Sequence, residues 1–64
     1  MVQINGQATD AAGMTLTAYL EQEDYQLGRI AVECNGEIVP KAVYGEKILK
    51  DGDVLEIVSF VGGG

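Results

Sequence analysis

Three short dipeptides, Asn5-Gly6, Asn35-Gly36 and Asp51-Gly52, punctuate a chain of only 64 residues. Asparagine and aspartate tolerate positive φ, and glycine adopts it freely, so each pair marks a tight reversal of an extended chain. The flanking residues agree. Val2-Gln3-Ile4 alternates before the first turn, and Gln7-Ala8-Thr9 returns from it. Ile30, Val32 and Cys34 alternate with Ala31 and Glu33, as in a half-buried strand. After the second turn, Glu37-Ile38-Val39 is a short strand. It is stopped by Pro40, which cannot donate to a ladder and so predicts a sheet edge. The third turn opens the last and longest strand, Val54 to Val61.

Between the first two strand pairs lie a loop, Asp10 to Gly13, and one helix. Thr15 can cap it, and Leu16, Tyr19 and Leu20 fall at i, i+3 and i+4, with Glu21 and Glu23 on the other side. The spacing predicts that the helix fades by Asp24 and that Gly28 is its natural stop, with Tyr25 and Leu27 folding back beneath it. Lys41 to Lys50 reads as an irregular connection anchored by Val43, Tyr44, Ile48 and Leu49. The element order is therefore β-β-α-β-β-β. The simplest compact solution is an α+β fold, a mixed sheet with one helix packed across one face, the first hairpin and the last strand lying centrally.

A chain this short buries only about 60% of the surface it exposes when unfolded. Its hydrophobic content of 47% is enough for one small core and too much for a disordered tail. We expect one domain over residues 1–64, in which an enclosed active site is hard to fit. Ten acidic and four basic residues give a formal charge of −6. Nucleic acid and anionic membranes need a basic face, so both are disfavoured, and a partner with a basic docking surface is favoured. One cysteine and no histidine leave no intramolecular disulfide and no zinc site. Cys34 continues the Ile30/Val32 stripe and reads as a buried apolar residue, and Tyr19 shares the core face of the helix. Asp51 and Asp53 read as turn formers and Lys41 as a solvated lysine, while Tyr44 is open between core and contact. There is no basic segment followed by a long apolar run at the start, and no stretch of roughly 20 apolar residues. The expectation is a cytoplasmic protein, monomeric when free.

The sequence ends Val61-Gly62-Gly63-Gly64. Glycines after a strand contribute nothing to a core and lose much backbone freedom on ordering, so residues 62–64 are expected to be a flexible tail. Extended, three residues reach roughly 10 Å, and without Cβ atoms they can enter a narrow channel in another protein. Gly64, with its α-carboxylate, is the candidate reacting group, and Gly62 and Gly63 are the thread that carries it in. Strand parity places Leu55 and Ile57 towards the core and Val54, Glu56, Val58 and Phe60 outward. Glu56, Val58, Phe60 and Val61 are the candidate docking residues, because exposed apolar groups beside such a tail mark a binding surface.

Cys34-Asn35-Gly36-Glu37-Ile38-Val39-Pro40-Lys41, then Asp51-Gly52-Asp53, then Glu56-Ile57-Val58-Ser59-Phe60-Val61-Gly62-Gly63-Gly64 together resemble the ThiS family of sulfur carriers in thiamin biosynthesis. The resemblance covers essentially the whole chain. It implies a ubiquitin-like β-grasp fold and a protein that is substrate, not catalyst. Gly64 would be adenylated by an E1-like (ThiF-like) adenylyltransferase, converted to a thiocarboxylate, and used to deliver sulfur to a ThiG-like thiazole synthase. ATP and Mg²⁺ would be held by the adenylyltransferase, with no cofactor on this chain, and the sulfur would come from a donor such as a cysteine desulfurase. The small subunit of molybdopterin synthase and the ubiquitin-like protein modifiers share the fold and tail and stand as alternatives. Val58-Ser59-Phe60 before the glycines favours the thiazole branch. Three kinds of departure from the family pattern stand out: a third glycine in the tail, Lys41 and Tyr44 where arginine and tryptophan are common, and Cys34 where an aliphatic residue is usual.

Overall fold

A computed structural model of the chain describes residues 1–60. Its elements are β1 (Val2–Ile4), β2 (Gln7–Thr9), α1 (Leu16–Gln22), β3 (Ile30–Cys34), β4 (Glu37–Ile38) and β5 (Val54–Ser59), with single 3₁₀ turns at Leu27–Arg29 and Lys41–Val43. The strands form one sheet in the order β2-β1-β5-β3-β4. β5 runs parallel to β1 and antiparallel to β3, and the two hairpins are antiparallel. This mixed five-stranded sheet with one helix is the ubiquitin-like β-grasp arrangement.

β5 is central, as expected, but the first hairpin is only half so. β1 lies beside β5, whereas β2 forms an edge and leaves Gln7 and Ala8 exposed. β4 forms the other edge. The Val39 amide still donates to the Val32 carbonyl at 2.8 Å, and the ladder ends at Pro40, which has no N–H to give.

The helix is held by its ends. Thr15 Oγ1 accepts from the Ala18 amide, while the Leu16 and Thr17 amides donate to the carbonyls of Lys47 and Tyr44. Three first-turn donors that the helix itself cannot satisfy are thus taken up, two of them by the connection between β4 and β5. The helix stops where Asp24 adopts φ +62, and not at Gly28, which lies within the first 3₁₀ turn. The Tyr25 amide donates to the Leu20 carbonyl and the Asp24 amide to that of Glu21. That pair of bonds is a Schellman cap with aspartate in the position glycine usually takes.

Leu16, Tyr19 and Leu20 meet Val2, Ile4, Ile30, Val32, Leu55 and Ile57 in one core, and Met14, Tyr25 and Leu27 pack against its margin. In the connection, Tyr44 and Leu49 are the anchors. Val43 is exposed. Ile48 is 45% exposed and contributes through its backbone, which bridges to Thr15.

Both hairpin asparagines also grip β5. Asn5 and Asn35 sit at φ +51 and +53, followed by Gly6 and Gly36 at +83 and +86. Positive φ at both central residues defines the type I′ turn. The Asn35 side chain accepts from the Val54 amide at 2.9 Å, at the start of β5. That of Asn5 accepts from the Ile57 amide at 2.7 Å and donates to the Ile57 carbonyl at 3.3 Å. Asn5 therefore prolongs the β1–β5 pairing beyond the end of β1 and fixes the half of β5 that leads to the C-terminal segment. Asn5→Gly should cost about 1–2 kcal/mol, for two lost hydrogen bonds. Asn5→Ala should cost about 1–2 kcal/mol more, because alanine must also hold the left-handed conformation. Urea denaturation of both variants checks the order; equal losses would show that the backbone strain is relieved elsewhere.

Candidate functional site

Phe60 is the last described residue before the sequence-predicted reactive segment. Val61, Gly62, Gly63 and Gly64 lie outside the described residues. What the structure describes is therefore the platform from which that segment departs. The Phe60 amide donates to the Arg29 carbonyl at 2.7 Å, tying the end of β5 to the start of β3.

Leu55 and Ile57 are buried and Val54, Glu56, Val58 and Phe60 are exposed, in line with the parity read from the sequence. Val58 is 57% and Phe60 50% exposed. Register sets their neighbours on the open face of the sheet. Ala31 stands opposite Val58, and Glu33 opposite Glu56. Ile38, opposite Glu33 on the edge strand, is 67% exposed. An apolar groove runs beside this face, lined by Ala31, Ile38, Val39, Pro40, Tyr44 and Phe60. Phe60 also borders a second, more polar depression with Tyr25, Gln26, Arg29 and Ser59. The side chain at the base of the segment thus divides two grooves.

Ile38 was absent from the docking set read from sequence. Its only signal was its place before Pro40, since an exposed isoleucine on a predicted edge strand has no core to serve. Tyr44 is settled as a core residue, and burial pushes its phenol above the ordinary value. Tyr19 is raised likewise, first by burial and then by the nearby Glu23. Neither phenol is placed to exchange a proton at neutral pH. Cys34 is buried with its thiol free, and Lys41 is exposed.

Asp51 and Asp53 act as turn residues. Asp51 pairs with the amino group of Met1. Asp53 accepts from the Lys50 amide at 3.0 Å and from Asn35 Nδ2 at 3.1 Å. Partial burial pushes the Asp53 carboxyl up. These two hydrogen bonds and the charges of Lys47 and Lys50 outweigh that effect and hold it below its ordinary 3.8. Its contribution belongs to the turn that launches β5. Among the described residues no group of three or more His, Cys, Asp or Glu could hold a metal ion, and no helix is long and apolar enough to cross a membrane.

Fold and platform define the class: a small ubiquitin-like β-grasp protein whose central strand leads, past an apolar face, into a glycine-rich C-terminal segment. The ThiS family matches residues 2–64. The sulfur carrier protein ThiS of Bacillus subtilis (strain 168) is 44% identical over 66 residues, covering the whole of both chains. A crystal structure of the thiamine biosynthesis protein ThiS from Geobacter metallireducens superimposes with a TM-score of 0.77 at 31% identity, covering 98% of this chain and 97% of that one. The thiazole synthase of Paramagnetospirillum magneticum is 47% identical over 62 residues, 95% of this chain. The chain spans about a fifth of the length of that protein and of a second matching thiazole synthase. The chain belongs to the ThiS family.

Proposed function

We propose that this protein is a sulfur carrier in thiamin biosynthesis, working in the cytoplasm, where ATP is available, as a substrate and not as a catalyst. The observation that carries the reading is the family match, which runs from residue 2 through Gly64 without leaving out the glycine segment. Full-length similarity to carriers named for this role supports it.

The chemistry required of Gly64 follows from what a carboxylate cannot do. Its charge repels nucleophiles, and oxide is a poor leaving group. Attack of the Gly64 carboxylate on the α-phosphate of ATP releases pyrophosphate and forms an acyl-adenylate. A sulfur nucleophile then adds to the acyl carbon, the C–O bond to AMP breaks, and AMP leaves with the electron pair. Gly62 and Gly63 thread a channel in an E1-like adenylyltransferase, which supplies nucleotide site, Mg²⁺ and basic groups and keeps water from the adenylate. Glu56, Val58, Phe60 and Val61 dock the globular part. A cysteine desulfurase is a fitting sulfur source. Its persulfide attacks the acyl carbon to give an acyl disulfide. A thiol reductant then cleaves the S–S bond, releasing the Gly64 thiocarboxylate and leaving the two thiols joined as a disulfide.

Thiazole synthase is the proposed acceptor. Two proteins of that name contain, within the same polypeptide, a stretch resembling this chain. Covalent linkage to the acceptor is one way of raising the effective concentration of a carrier. The modifier reading uses the same activation but ends in an isopeptide bond.

Intact-mass analysis after incubation with adenylyltransferase, MgATP and a sulfur donor tests the proposal. The expected result is exchange of one C-terminal oxygen for sulfur, with the label passing on when thiazole synthase is added. High-molecular-weight conjugates without a thiocarboxylate would overturn it in favour of the modifier.

A further inference from the structure

Glu33 on β3 and Glu56 on β5 stand directly opposite each other on the open face of the sheet, and both are exposed. Opposed like charges on one sheet face weaken the sheet. Lys41 is the basic residue lining the apolar groove beside this face, and it makes no ion pair with either glutamate. Among the described residues neither glutamate takes part in an ion pair, and the charges of Lys47 and Lys50 bear instead on Asp53. The pair is framed by apolar groups: Ala31 and Val58 one step towards the C-terminal segment, Ile38 beside Glu33 on β4, and Val54 two residues before Glu56. Two carboxylates inside an apolar border, next to the strand end that presents the reacting group, form a surface with a defined complement.

Resting on the proposed function, we infer that Glu33 and Glu56 together receive one cationic side chain, a guanidinium or an ammonium, from the adenylyltransferase, and that Ala31, Ile38 and Val58 seat apolar side chains around it. Charge selects this occupant. A second copy of the chain would bring four carboxylates face to face, and a net charge of −6 disfavours anionic lipid and nucleic acid. The adenylation step also needs the attraction most, because there an anionic chain drives its own carboxylate towards an anionic triphosphate. A complementary cation on the docking face offsets that repulsion through binding far from the reacting atoms. The opposed pair thus weakens the free fold slightly in return for recognition.

The test is pyrophosphate release by the adenylyltransferase as the concentration of carrier is varied, at several ionic strengths, for the wild type, E33Q/E56Q and V58D/F60D. E33Q/E56Q should raise KM about tenfold or more, leave kcat within about twofold and flatten the salt dependence of KM. Its thermal midpoint should equal or exceed that of the wild type, so the loss cannot come from unfolding. An unchanged KM at low salt would overturn the inference, as would a change seen only in binding to thiazole synthase. The docking face as a whole is judged by V58D/F60D: normal kinetics there would remove it. A wild type that releases no pyrophosphate would sink the sulfur-carrier reading, and this inference with it.

Discussion

A chain ending at Gly62 should fold as the full chain does and accept no sulfur at all. The two halves of that result have separate causes. The folded half follows from the core, which is built from residues between Val2 and Ile57 and is capped at the end of β5 by the Phe60–Arg29 backbone hydrogen bond. Removing Gly63 and Gly64 takes away no buried side chain and none of those bonds, so the urea midpoint should stay within about 0.5 kcal/mol of the parent. The chemical half follows from reach. Loss of two extended residues withdraws the carboxylate by roughly 7 Å from wherever the channel holds the α-phosphate. In-line attack needs the reacting atoms about 3–3.5 Å apart, so a displacement of that size abolishes the step instead of slowing it. Intact mass after incubation with adenylyltransferase, MgATP and sulfur donor would show the unmodified chain. A truncated carrier that still gained sulfur would place the loaded atom elsewhere and undo the assignment of Gly64.

Much of this architecture was legible because it is written in local chemistry. Asn5-Gly6 and Asn35-Gly36 make the turns their residue types demand, and Leu16, Tyr19 and Leu20 form the buried face of a helix capped by Thr15. The alternation in β5 already separated Leu55 and Ile57 from Val58 and Phe60. What was not legible depends on contacts between distant parts of the chain. Nothing near Asn5 announces that its amide will span the backbone of Ile57, because that needs β1 and β5 to lie parallel. Likewise Glu33 and Glu56 become neighbours only through the β3–β5 register. That the helix fades by Asp24 was legible, but that Asp24 itself and not Gly28 makes the reversal was obscured for a different reason. Aspartate enters the left-handed region less readily than glycine, so Gly28 carried the stronger local signal, and burial of Tyr25 and Leu27 at the core margin favours the earlier reversal. The edge position of β2 and the exposure of Ile48 reflect the same limit, since three-residue strands and irregular connections have too little periodicity to fix a face.

Replacing Leu55 by alanine should leave much of the population unfolded at room temperature. Leu55 is fully buried on the central strand, with Ile4 beside it on one side and Cys34 on the other, and it belongs to the core that meets Leu16 and Leu20 of the helix. Leucine-to-alanine changes at such sites cost about 2–5 kcal/mol, the upper end where surrounding structure cannot collapse into the space. Collapse is hindered here because β5 is hydrogen-bonded on both sides and gripped by two asparagine side chains. A single core in a domain of this size supplies only about 3–5 kcal/mol in total, so the loss is comparable to the whole stability. Circular dichroism with urea titration should show a midpoint close to zero denaturant, while Leu55→Met, which nearly conserves volume, should cost less than about 1.5 kcal/mol. Val54→Ala, one residue earlier and on the open face, should stay within about 0.5 kcal/mol. Equal losses for Leu55→Ala and Val54→Ala would mean that the open face is covered by something that the parity of β5 does not provide. A small loss for Leu55→Ala alone would mean that the helix can settle onto the sheet. In that case the platform beneath Phe60 would be less rigid than its two asparagine clamps imply, and the geometry of the docking face would owe more to the partner than to the carrier.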